Sequence, residues 1–408
     1  MDPSKELVRG GFPNPTEAQP EAKGFGHQWI ATLAGPQLTG HASTLLGKFI
    51  YIFGGCRLQN LSRDHEPIEI LVLNTETFQW KILDPPKQLP EETPFMRFGH
   101  TVVEHNGYVY LFGGRSSLEF CSDLFQYDPV AHLWKKIRTH GTPPESLVGH
   151  TMNVIGDVAY VFGGLRNHQN NCTQQMLALN LRDFRWSFVA QNGEIPSARY
   201  LHRATVIDKR IYVFGGNYNA TEKSHYDAFF YFDSDTRTWH REGAREATPL
   251  GRRNHSIFAY RGNIFTYGGW CIESEETSVD MRRFDTQTGR WEEFEVGVGA
   301  LDIPSGRRSH TTVVVGDRLF VIGGMVLTED DCLNVTFDDN DDDDDVRLQD
   351  LRKDNFVVLD FRPSLKTLCM TEVARNDSDR SELPRNVRLQ MSRMFDGGNL
   401  ARVIERGK

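Results

Sequence analysis

Six short runs of aromatic and β-branched residues punctuate the chain, each closed by a pair of glycines; Phe49-Ile50-Tyr51-Ile52-Phe53 and Tyr108-Val109-Tyr110-Leu111-Phe112 are the clearest. Continuous apolar runs of this length suit strands buried on both faces rather than strands with one side in water. Ahead of each lies another short strand-like run, and the two are separated by turn-forming pairs: Gly47-Lys48, Asn106-Gly107, Gly156-Asp157, Asp208-Lys209, Gly262-Asn263 and Gly316-Asp317. Residues of this kind favour tight hairpins. Beyond the glycines comes a loop of variable length, then a third run ending in Asn74, Asp128, Asn180, Asp233, Asp285 or Asp360.

The spacing is periodic. His41, His100, His150, His202, His255 and His310 each stand thirteen residues before the first glycine of a pair, at Gly54, Gly113, Gly163, Gly215, Gly268 and Gly323. Trp80, Trp134, Trp186, Trp239 and Trp291 each follow the Asn or Asp that ends a third run by six residues. A fixed period near fifty residues marks a repeat architecture. Gly-Gly, flanking aromatics and spaced Trp together resemble the kelch repeat, over roughly residues 27 to 363. That resemblance implies an all-β, six-bladed kelch propeller, four strands to a blade, around a central channel with few exposed sheet edges. Six residues past Asp360 stands Lys366, so the last blade lacks a fourth strand of its own. Trp29, in His27-Gln-Trp-Ile-Ala-Thr-Leu33, precedes the first histidine with no blade before it. The N-terminal strand is therefore expected to close the ring, as is usual in the family.

Composition alters the picture little. Six cysteines without paired spacing indicate free thiols in a reducing compartment, neither a disulfide framework nor a zinc site. No leader-like or membrane-spanning apolar stretch is present, which suggests a cytoplasmic or nuclear protein. Net charge is -9, with eight aspartates between Asp338 and Asp350. This concentration gives no support for a nucleic-acid partner, and residues 326–353 are expected to form a mobile acidic insertion in the last blade. Residues 1–26 and 395–408 are expected to be flexible.

After the propeller, Ser364 is placed to cap a short helix on which Leu365, Leu368, Cys369 and Val373 share one face. A polar linker, residues 374–382, separates it from Leu383-Pro384-Arg385-Asn386-Val387-Arg388-Leu389-Gln390-Met391. Here proline stands at a helical first position and Val387, Met391 and Met394 line up. Two readings compete: the helices pack back on the propeller, or they present a docking stripe. Ser-Leu-x-x-x-Cys-x-x-x-Val resembles the BC box by which substrate receptors dock on elongin C, and Leu-Pro-x-x-Val-x-x-x-Met resembles the cullin-2 box. The resemblance, over residues 364–394, is to kelch substrate receptors of cullin-2 RING ubiquitin ligases. It implies elongin B/C, cullin 2 and a RING subunit as partners. Leu365, Leu368, Cys369 and Val373 would meet elongin C, and Leu383, Pro384, Val387 and Met391 would meet cullin 2. Receptors of that group bind the extreme C-terminus of target proteins.

Comparing the six units with one another separates scaffold from site. Arg97, Arg199, Arg252 and Arg307 recur three residues before the histidine, which marks them as structural. One position later the units differ: Thr39, Phe98, Val148, Tyr200, Arg253 and Arg308. Just after the glycines come Arg57, Arg115, Arg166, Asn217, Tyr218 and Trp270. A guanidinium offers paired donors in the plane of a carboxylate, so Arg253 and Arg308 are candidates to grip a C-terminal carboxylate, with Arg115, Arg166, Asn217, Tyr218, Tyr200 and Trp270 as further peptide contacts. Where related receptors carry an arginine after the fourth Gly-Gly, this chain has Asn217. No cofactor, metal or catalytic residue is expected. The alternative function is a stand-alone kelch interaction scaffold, cytoskeletal or chromatin-bound.

Overall fold

A computed structural model describes residues 27–395 apart from 34, 57–65, 117–118, 167–170, 218–228, 243–247, 272, 275, 297–303, 327–354, 376–379 and 382. The expected flexible N-terminus, the expected acidic insertion from residue 327 on, the expected flexible C-terminus from residue 396 on, Arg57 and Tyr218 lie outside the described residues; Phe395, expected in the flexible end, is the last residue of a helix.

Six antiparallel blades are laid out from the inside outwards in the order the repeat implies. Blade 1 comprises Ala42–Leu46, Phe49–Phe53, Ile70–Asn74 and Trp80–Ile82; blade 4 comprises Arg203–Ile207, Arg210–Phe214, Phe229–Asp233 and Thr238–Glu242. In blade 6 the inner strands Thr311–Val315, Arg318–Ile322 and Phe356–Asp360 are completed by Gln28–Leu33. Gln28 pairs with Asp360 and Leu33 with Phe356, across a bulge between Trp29 and Ala31. The N-terminal strand does close the ring.

Each spacing in the repeat has a physical cause. The Asn or Asp ending a third strand turns its carboxyl or amide oxygen back onto the following backbone. Asp128 Oδ1 accepts from Val130 N–H (2.8 Å) and Ala131 N–H (3.0 Å), and Asn74, Asp233 and Asp285 do the same. This Asx turn fixes where the outer strand begins, hence the Trp offset. Four of the five tryptophans pack on the aromatic residue that precedes the glycine pair of the neighbouring blade: Trp134 on Phe53, Trp186 on Phe112, Trp239 on Phe162 and Trp291 on Phe214, with ring centroids 4.8–5.9 Å apart; Trp80, whose neighbouring blade has Ile322 there, meets Phe356 instead. Trp29 makes the equivalent contact with Tyr267 at 5.7 Å.

Glycine is required where blades meet. Gly113 has φ +70°, and a Cβ there would stand 2.6 Å from Leu147 O and 2.7 Å from the His150 ring. The repeat histidines are thus packed against the glycines of the preceding blade. At the Gly-Gly end of the channel, the residues just before the histidines form a closed circle of backbone hydrogen bonds. Gly40 donates to Ser309, Ser309 to Asn254, Asn254 to Leu201, Leu201 to Gly149, Gly149 to Gly99 and Gly99 to Gly40, at 2.8–3.1 Å. All six have positive φ, between 54° and 66°. This collar ties the blades together at the mouth of the channel.

Phe356–Asp360 runs away from that mouth, so the tail helices start from the opposite end. Helix α1 spans Leu365–Arg375 and α2 spans Arg385–Phe395. Ser364 Oγ accepts from Thr367 N–H at 3.1 Å, the expected cap. Pro384 stands one residue outside α2, its carbonyl accepting the first helical bonds from Val387 and Arg388, a position earlier than its sequence suggests.

Candidate functional site

Two residues before each histidine, the chain bridges to the residue following the glycine pair of the same blade. The six pairs are Thr39 with Cys56, Phe98 with Arg115, Val148 with Leu165, Tyr200 with Asn217, Arg253 with Trp270, and Arg308 with Met325. Variable positions are therefore gathered into one rim around the collar. The recurrent arginines do not belong to it. Arg97, Arg199, Arg252 and Arg307 each donate Nε to a carbonyl two residues back and Nη1 to the first glycine of their own blade, at 3.0–3.4 Å. They brace the loop, as their recurrence implies.

The rim is chemically divided. On blades 3 and 4, Val148, Leu165 and Tyr200 form a buried apolar cluster with Phe120, Cys172 and Leu201 against it. On blades 5 and 6 the rim is cationic and aromatic, but its two arginines differ. Arg308 is 6% exposed, stacks over Trp270 at 5.2 Å and donates to the Met325 sulfur at 3.3 Å. Its guanidinium is thereby committed, which weakens the expectation that it grips a ligand carboxylate. Arg253 stands differently. Its Nε is buried without a hydrogen-bond acceptor among the described residues, and removal from water lowers its pKa. A buried donor with no acceptor costs about 1–3 kcal/mol.

The remaining candidates are placed as follows. Arg115 is sandwiched between Phe98 (5.1 Å) and Phe120 (5.8 Å), so it supports the apolar side. Arg166 turns onto Thr173 (2.9 Å) and Gln175 (2.6 Å) in its own loop. Asn217 is 2% exposed and donates to Tyr200 Oη at 3.4 Å, while its Oδ1 has no partner among the described residues. The site thus presents an orphan donor on Arg253 and an orphan acceptor on Asn217, one blade apart. Met325 and Leu165 complete the rim; their place right after a Gly-Gly pair was the available signal, which sequence reading passed over in favour of charged neighbours.

On the tail, α1 turns Thr367, Met370 and Thr371 inward, each 2–3% exposed. Leu365, 66% exposed, and Cys369, also exposed, point away from the propeller; Leu368 is half-buried, and Val373 packs against the core between blades 6 and 1. The expected single face of four residues is therefore an outward pair with Leu368 at its edge and Val373 turned in. Helix α2 lies against the closing strand Gln28–Leu33. Met391 and Met394 are both fully buried, with Leu383 and Val387 packed beside them. The expectation that Met391 meets cullin 2 is corrected: its side chain fills this chain's own core. Pro384 remains exposed, as does Leu389 at 51%, which the box pattern does not mark.

Comparison with known proteins agrees with this architecture. The KLHDC2/KLHL20/DRC7 Kelch-repeats domain matches residues 40–269 and, in a second register, 99–324. Kelch domain-containing protein 3 of Homo sapiens is 30% identical over 391 residues, covering 92% of this chain and 98% of that protein. Host cell factor 2 of Homo sapiens is 25% identical over 327 residues, covering 70% of this chain and 39% of its own length. The solved structure of YjhT shares the fold, with TM-score 0.58 at 16% identity over 73% of this chain and 93% of the other. Six bladed sheets, the repeat match and a relative aligned along nearly its whole length establish that the chain belongs to the kelch-repeat propeller family, similar throughout to Kelch domain-containing protein 3.

Proposed function

We propose that the protein is the substrate-recognition subunit of a cullin-2 RING ubiquitin ligase. In this reading the rim holds the C-terminus of a target protein, with its carboxylate at Arg253 and its upstream residues over Tyr200, Val148 and Leu165. The tail holds elongin B/C and, through it, cullin 2 and the RING subunit. Ubiquitin transfer then follows from proximity, and this chain supplies no catalytic group. The observation that carries the proposal is the outward pair Leu365 and Cys369: apolar side chains at BC-box spacing, on a helix whose own packing uses a different face. Helix-in-groove docking needs such anchors, with a small residue where the groove is tight. Substrate face and docking helix start from opposite ends of the propeller, so both can be occupied at once.

The burial of Met391 and Met394 favours a second role for α2, sealing the seam between blades 6 and 1. In a stand-alone scaffold α1 would serve that purpose too. Co-purification with elongins B and C separates the two. A Leu365→Ala, Cys369→Ala double variant is expected to lose elongin binding at least about tenfold while its melting temperature stays unchanged. Retained binding would exclude BC-box docking. For the rim, peptides ending in a free carboxylate are expected to bind at least about tenfold more tightly than the same peptides amidated, with the difference lost in Arg253→Ala. Equal affinities would remove the carboxylate from the recognition.

A further inference from the structure

Besides the four bracing arginines, one further enclosed cation has no part in the rim or the tail. The residue directly after each repeat histidine opens the innermost strand; it is Ala42, Thr101, Thr151, Arg203, Ser256 or Thr311. Five of the six are small. Three of the threonines donate to or accept from the next blade's histidine: Thr101 with His150 (2.8 Å), Thr151 with His202 (3.1 Å) and Thr311 with His41 (2.9 Å). Blade 4 breaks the series with a full guanidinium. Arg203 donates Nε to the His255 carbonyl at 3.0 Å. No carboxylate among the described residues pairs with it. The only acid on the six innermost strands is Glu104, near the far end, which accepts from Gly107 N–H in its own hairpin turn.

Arg203 retains some accessible surface, yet it is surrounded by protein closely enough that lost hydration lowers its pKa to about 10. Those two facts agree for a side chain lining a narrow internal channel. Its charge is felt by His202 and His255 beside it, and also by His310 and by His41 in blade 1, directly across the ring. All six histidines are held neutral, so none of them adds to or offsets the charge of Arg203. A charge in low dielectric without a counter-charge is strongly unfavourable, and it is retained where an opposite charge joins it.

We infer that the channel, just inside the collar, is an anion-binding site in which Arg203 holds a small oxyanion or carboxylate. The anion is either free in solution or, in place of the contact with Arg253 assigned above, the terminal carboxylate of a peptide that reaches from the rim through the collar. Only the second source rests on the function proposed above.

Thermal unfolding of the wild type, Arg203→Thr and Arg203→Gln, titrated with inorganic phosphate at constant ionic strength, tests the free anion. Threonine is what three other blades carry, and glutamine keeps a donor for the His255 carbonyl, so at least one neutral variant should fold. Phosphate is expected to raise the wild-type midpoint by about 3 °C more than that of either variant. The peptide source is read by affinity: Arg203→Thr should weaken a free-carboxylate peptide about tenfold and leave its amidated form unchanged. Either result supports the site and names its source. Equal phosphate responses together with unaltered peptide affinity would overturn it. If no peptide binds even the wild type, the rim proposal fails while the phosphate arm still decides this one.

Discussion

Lowering the pH from 7 is expected to unfold the propeller cooperatively at roughly pH 5. The repeat histidines are 0–5% exposed, and burial is the leading cause of their depressed pKa values: about 4 for His41, about 3 for His100 and His150, and well below 6.5 for His202, His255 and His310. Nearby arginines push in the same direction, Arg97 on His100, Arg252 on His255 and Arg307 on His310. Folded-state values below the unfolded value mean that the unfolded chain takes up protons first. The stabilisation is complete above about pH 6.5 and is lost as pH falls from there towards 4 and 3. Each histidine contributes a slope of up to about 1.4 kcal/mol per pH unit, and the ring together about 8, against a total stability on the order of 5–15 kcal/mol. Asp280, held down to about 2 by Arg252 and Ser278 despite the opposing effect of burial, adds to the loss only in stronger acid. Far-ultraviolet circular dichroism and tryptophan fluorescence across the pH range measure the midpoint. A chain still folded at pH 4 would mean that the imidazoles accept protons in place, and the argument from their burial would fail.

How much of this was legible beforehand depended on whether the information lay in side chains or in the backbone. Blade number, hairpin turns, closure by Trp29 and the bracing arginines could be read because each repeats, and each needs a particular residue at a particular offset. The collar could not: its bonds are backbone to backbone, and Leu201, Asn254 and Ser309 stand where the other blades have glycine. Arg308 and Arg253 look alike in sequence, yet only their surroundings tell them apart: a tryptophan face and a sulfur for one, and an Nε without an acceptor among the described residues for the other. Met391 illustrates the converse limit. An amphipathic stripe says that a face will be covered, not whether this chain or another covers it. Arg203 was hidden by adjacency, since it follows a repeat histidine and is conspicuous only when the six following residues are set side by side.

Removing the first 34 residues is expected to abolish folding rather than merely weaken it. Phe356–Asp360, whose five residues are all buried, would become an unpaired edge, with Val357 and Leu359 also losing their packing beside Trp29. Alternation along the closing strand sends Trp29 towards blade 5 and Ile30 towards blade 1, where Ile30 shares a core with Met391 and Met394. One short strand therefore joins blade 5, blade 6, blade 1 and the tail helices. Trp29→Ala alone is expected to cost about 3–5 kcal/mol, as for a fully buried aromatic elsewhere. Deleting the strand adds lost hydrogen bonds, and in a closed ring an open blade also exposes an edge that pairs with other copies. Size-exclusion chromatography of the truncated chain should show aggregate, and a synthetic peptide spanning residues 27–35, added during refolding, should restore a monomeric species. A truncated protein that melts cooperatively near the wild-type temperature would show that five complete blades and an incomplete sixth suffice, and that Trp29 is not what holds the ring shut.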